Sequence, residues 1–150
     1  MPIIGRVRQT SNLRGLLLEK RNLVVNIGVE LMAQALTGGD QVASIIFGLS
    51  GGVPVTPGLR AIYNPVNVSP AGTTSSIPPV ISDDVSGLAS IVTWTATWTN
   101  PGPGSVSYDM LGLVSQNTRL FAALSFDAVT LVANESIAVE WTILLRGSAS

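Results

Sequence analysis

Apolar and polar residues alternate with a period of two through much of the second half of the chain. In Val92-Thr93-Trp94-Thr95-Ala96-Thr97-Trp98-Thr99 one face holds Val92, Trp94, Ala96 and Trp98, and the other holds only threonine. Successive side chains of a strand point to opposite faces, so this pattern predicts a half-buried strand with two indoles on its core side. Residues 137–145 follow the same rule: the odd positions are uniformly apolar, while Glu140 and Thr142 face away from them. Residues 106–114 and 119–126 read as two further strands joined through Ser115-Gln116-Asn117-Thr118, a short run of turn-forming residues. The second of these is apolar on both faces, which predicts a central position in a sandwich. Residues 128–132 read as a separate short strand that turns at Ala133-Asn134-Glu135 into the last one.

The first half is less regular. Ala43-Ser44-Ile45-Ile46-Phe47 is a strand-like run. One helix is predicted over residues 27–37. Asn26 can cap it, Ile27, Leu31 and Ala35 repeat every four residues, and Gly38-Gly39 ends it. Its expected place is as a plug at one open end of the sandwich. Residues 50–88 hold six of the nine prolines and show little periodicity. Such a stretch exceeds an ordinary loop. It also carries Ile62, Tyr63, Val66 and Ile77, so it is no flexible polar linker. The expectation is an extended arm lying on this body or on a neighbour; a self-packed surface loop with one or two short strands is the alternative.

Composition narrows the class. The 150 residues are one domain's worth of chain. Hydrophobic residues make up 46% and charged residues 11%, with a mean hydropathy of +0.45, which excludes disorder. Val, Ile and Thr together number 40, and these β-branched types favour strands. No apolar run approaches the roughly 20 residues of a membrane-spanning helix. The fold expected is mainly β, an antiparallel, jelly-roll-like sandwich of residues 22–150.

Charge is unevenly placed. Residues 1–21 hold Arg6, Arg8, Arg14, Lys20 and Arg21 against Glu19, a net +4, while residues 22–150 hold three basic residues against eight acids, a net −5. An arm of one sign on a body of the other is a recognised interaction device. Residues 1–21 are therefore expected as a basic arm, with Arg6, Arg8 and Arg14 making its contacts and Arg60, Tyr63 and Ile77 making those of the long loop. The alternative is that the basic residues decorate the solvated face of a hairpin. Nucleic acid is not expected as a partner, because no aromatic residue is interleaved with the basic ones. The N-terminal residues lack the apolar block of a secretory signal, which implies folding in a reducing compartment and makes the triplets Asn67-Val68-Ser69 and Asn134-Glu135-Ser136 coincidental.

The absence of His and Cys removes thiol nucleophiles, thiolate and imidazole metal ligands, and His-based triads. Gly48-Leu49-Ser50-Gly51-Gly52 matches the G-x-S-x-G of a hydrolase nucleophile elbow. An elbow must open a helix, however, and Val53-Pro54-Val55-Thr56-Pro57 cannot. Lys20, the single lysine, is remote in sequence. A glycine-rich turn is the better reading. The same glycines lack the Lys-Ser/Thr of a phosphate-binding loop. Asp83-Asp84 point to opposite faces on a strand and offer too few oxygens for calcium. Trp94, Trp98 and Trp141 share their faces with apolar neighbours, which argues for core and not for a sugar-stacking platform. No catalytic residue, metal or cofactor is expected, and the chain reads as a non-enzyme.

The order of the pieces resembles a known group. Asn22-Leu23-Val24-Val25-Asn26-Ile27-Gly28 runs into the helix ending Leu36-Thr37-Gly38-Gly39, followed by Ile45-Ile46-Phe47-Gly48 and a glycine-rich turn. After the long loop come Tyr108-Asp109-Met110-Leu111-Gly112-Leu113, Leu120-Phe121-Ala122 and Val139-Glu140-Trp141-Thr142-Ile143. This layout, over residues 15–146, is similar to the N-terminal domains of tail-collar fibre and baseplate-associated proteins of tailed bacteriophages. The resemblance implies a virion structural subunit made in the host bacterial cytoplasm. It would assemble with copies of itself, as a trimer first, and with other virion proteins, without membrane or nucleic acid. Its role would be tail or fibre attachment, or a baseplate adaptor. In that family Gly-Leu is often preceded by an acid, where this chain has Met110, and a fibre shaft often follows, so a capsid decoration protein is the alternative. A host-surface carbohydrate-binding module is a further one.

Overall fold

The computed structural model describes residues 3–24, 28, 38–39, 42–52, 54–60, 80–83, 89–100, 102–117 and 119–146. They form eight strands: β1 (Ile3–Ser11), β2 (Gly15–Val24), β3 (Val42–Gly48), β4 (Val80–Asp83), β5 (Ala89–Thr99), β6 (Val106–Ser115), β7 (Leu120–Leu131) and β8 (Ser136–Arg146). The strand order is β3-β6-β7-β2-β1-β8-β5-β4, and every neighbouring pair is antiparallel. The ladder divides into two sheets at β2. Its first part pairs with β1, and its last residues, Leu23 and Val24, pair with Ala123 and Ala122 of β7. Strands pair in nested fashion, β1 with β8, β2 with β7, β3 with β6 and β4 with β5, as in a jelly roll. The expected mainly β sandwich is what forms.

The predicted alternation sets the inner face. Along β5, Ala96 and Trp98 are buried while Thr95, Thr97 and Thr99 are exposed; along β8, Ile137, Val139, Trp141 and Ile143 are buried and Glu140 is exposed. Phe47 of β3 joins the sheets, with its ring centroid 4.8 Å from that of Tyr108 and 6.0 Å from that of Trp98. Edge-to-face packing of this kind adds to the area the rings bury. Tyr108 on β6 also donates its hydroxyl to Oε1 of Gln9 on β1, at 2.6 Å, across the sandwich. Burial pushes the Tyr108 hydroxyl well above the ordinary tyrosine range, so it stays a donor. Tyr108→Phe leaves the Gln9 oxygen buried without its donor, and urea unfolding should show a loss of about 1–3 kcal/mol.

The sheet of β3, β6 and β7 is apolar on both faces because its outer face is covered. Met110, Val114, Leu120 and Ala123 form a second buried cluster with Leu59, against which Val55 packs. The described start of the long proline-rich segment, residues 54–60, therefore lies on its own body.

Two expectations are corrected. Residues 3–21 are no detached arm: they build β1 and most of β2, and β1 is an interior strand between β2 and β8, with Val7 and Gln9 fully buried. The hairpin alternative is the one realised, because period-two buried positions inside the charged stretch (Val7, then the polar Gln9 and Ser11) give it an inner face. Residues 119–126 and 128–132 are one strand, not two. The break read at Asp127 survives as a register shift, with Met110 opposite Ser125 and Tyr108 opposite Val129. β7 is, as predicted, an interior strand, between β6 and β2. Of the helix predicted over 27–37, only Gly28, helical and buried, is among the described residues.

Candidate functional site

The β1–β2 turn, the β5–β6 loop and the β7–β8 turn meet at one end of the sandwich, where polar groups lock them together. Glu135 is 1% exposed, yet charged. Its carboxylate accepts from Arg14 Nε at 2.8 Å, Arg14 Nη2 at 3.3 Å, the Val132 amide at 3.0 Å and the Ser11 hydroxyl. The Arg14 guanidinium, assisted by the Ser11 hydroxyl and the Val132 amide, holds this carboxyl below the ordinary glutamate value against the opposing effect of burial. Buried Asn100 does the same work nearby. Its amide nitrogen donates to the carbonyls of Gly104 at 2.8 Å, Leu131 at 3.1 Å and Val132 at 3.2 Å, and its oxygen accepts from the Gly102 amide at 3.1 Å. Gly15, at φ 76°, lets the chain leave the β1–β2 turn directly into β2.

On these stiff turns large apolar side chains point into solvent. Leu13 is 63% exposed and Leu16 51%, beside the hairpin turn; Val132 is 48% exposed on the β7–β8 turn. Leu49, also exposed, follows β3 next to Ser50.

A cleft of about 770 Å³ opens from this end between β2 and β7, lined among others by Arg14, Lys20, Ser50, Phe126 and Thr130. Ser50 and Lys20, remote in sequence, thus line one cleft. The Ser50 hydroxyl donates to Asp109 Oδ2 at 2.8 Å and its amide to Asp109 Oδ1 at 2.6 Å, an anchor for the glycine turn with Gly51 and Gly52 at positive φ. Residues 51–60 open no helix at the described positions, in keeping with the turn reading.

Of the residues singled out from sequence, Arg6 and Arg8 are exposed on the outer face of the β2–β1–β8–β5 sheet, and Arg6 pairs with Glu19 at 3.3 Å. Arg14 serves chiefly inside the molecule, through Glu135. Arg60 is exposed at the end of the segment that covers β6 and β7. Tyr63 and Ile77 lie outside the described residues. The structure brings Arg6 and Arg8 together, lining one groove with Glu19 and Glu140, and leaves Arg14 and Arg60 apart from them. Trp98 and Trp141 are buried and Trp94 half-buried, as the core reading of the indoles has it. The exposed leucines were hidden in plain view: Asn12-Leu13-Arg14-Gly15-Leu16-Leu17-Leu18 breaks the alternation at a glycine turn, and three successive leucines cannot all face one way.

No group of three or more potential metal-ligating side chains occurs among the described residues, and no helix there is long and apolar enough to cross a membrane. No family model, curated protein or solved structure matches the chain.

Proposed function

We propose that the chain is a non-enzymatic structural subunit of a tailed-phage virion, working as a tail, fibre-attachment or baseplate adaptor. The observation that carries the assembly role is the rigid end bearing Leu13, Leu16 and Val132. Large apolar side chains held out on turns that an ion pair on a buried carboxylate and a buried asparagine tie together suit a preformed contact surface. Preorganised turns lose little conformational freedom on binding. The resemblance of the sequence over residues 15–146 to tail-collar and baseplate-associated domains supports the virion setting. The open cleft, with its serine tied to a carboxylate, supports binding over catalysis.

The test is to count copies of the chain in purified phage particles and locate it by cryo-electron microscopy. The proposal expects a small, symmetry-matched number at the tail. Many copies over the head make it a capsid decoration protein, and absence from the particle contradicts the virion role.

A further inference from the structure

The cleft between β2 and β7 has a built cause. The two strands pair only at Leu23 with Ala123 and Val24 with Ala122. Beyond that point two register shifts bend them apart, one at Leu17 opposite β1 and one at residues 126–128 opposite β6. The floor that this exposes is apolar: Leu17, Leu18, Phe126 and Val129 line the cleft and rest on the core behind it. Its charges are unevenly matched. Arg14 meets Glu135 within the chain. Lys20 and Asp127 also line the cleft and are exposed, yet neither has an ion-pair partner among the described residues. The Lys20 ammonium donates instead to the Ser125 carbonyl, at 2.9 Å. One cation and one anion thus stand unpaired over an apolar floor.

The neighbouring turn presents the converse surface. Leu13 and Leu16 point into solvent and do not line the cleft. The turn that carries them is fixed, because the amides of Leu13 and Arg14 donate to the Ser11 hydroxyl at 3.1 and 3.2 Å and Arg14 is tied to Glu135. The same segment continues into the cleft wall at Leu17 and Leu18, so apolar projections and apolar slot adjoin on one element.

We infer that the cleft of one copy receives Leu13 and Leu16 of a second copy and gives the same contact in return, with Lys20 of each chain meeting Asp127 of the other. The inference rests on the assembly role proposed above and specifies its contact. A surface that carries a cation, an anion, apolar projections and an apolar slot is its own complement about a two-fold axis, so this contact closes at a dimer.

Charge reversal with mixing tests it, read by sedimentation velocity of the full chain, with circular dichroism to verify folding. The wild type should pass from monomer to dimer between low and high micromolar concentration, and added salt should weaken the dimer. Lys20→Glu and Asp127→Lys each set like charges together at both pairs of the dimer, and each should weaken it about tenfold or more. An equimolar mixture of the two variants should recover most of the loss, because a mixed dimer joins opposite charges at both pairs; a pairing within one chain gives no such rescue. Leu13→Ser, at a side chain that the fold leaves in solvent, should weaken the dimer with no change of charge. Unchanged association in the folded variants, no recovery on mixing, or a wild type that grows past the dimer overturns this contact and leaves the assembly role standing. A wild type that stays monomeric overturns both.

Discussion

A chain lacking residues 1–21 should fail to fold. β1 pairs along its whole length with β8, from Ile3 opposite Leu145 to Ser11 opposite Ile137, and on its other side with β2. Its removal strips Val7, Gln9 and Ser11 from the interior and opens the edge of β8, where Trp141 is fully buried. Total stability of a domain this size is only about 5–15 kcal/mol. Losing an interior strand, its ladders and the cover over a buried tryptophan exceeds that margin. Circular dichroism should show no cooperative melt, and the material should aggregate through the exposed strand edges. A truncated chain with a sharp thermal transition would mean that the segment is an arm after all.

Arg14→Met should be the most damaging single change at this end of the molecule. It leaves the Glu135 carboxylate buried with the Ser11 hydroxyl and Val132 amide but without its cation. Removing one partner of a buried pair costs about 3–5 kcal/mol. Arg14 itself is 46% exposed, so about 2–3 kcal/mol is expected after allowing for solvent screening. The pH dependence gives the cause away. Glu135 has a folded-state pKa below its ordinary 4.5, so its contribution is fully present above that value and is lost as pH falls through the folded pKa. The gap between wild type and Arg14→Met in urea unfolding should therefore be widest near neutral pH and shrink in acid, where the carboxyl is protonated in either protein. A pH-independent gap would assign the loss to packing of the arginine stem.

How much of this was legible from sequence depended on which interaction decides each element. β5 and β8 were readable almost to the residue, because a two-residue period over a half-buried strand is a local signal: Thr95 and Trp98 announce their faces without a partner. β1 was not, since Arg6 and Arg8 dominate its composition, and its buried positions include the polar Gln9 and Ser11, whose partners Tyr108 and Glu135 lie about a hundred residues away. The single strand β7 was misdivided because a register shift and a turn use the same exposed residues, here Asp127 and Ala128. The candidate site was the least legible. Its leucines stand out only once the turns that carry them are fixed in space, and the cleft between Lys20 and Ser50 arises from two strands bending apart.

The central claim is that this chain completes itself against copies or neighbours, and its mass in solution tests that most directly. Sedimentation velocity of the intact wild-type chain from low to high micromolar concentration should show reversible, concentration-dependent assembly. A single monomeric boundary across that whole range would contradict the account.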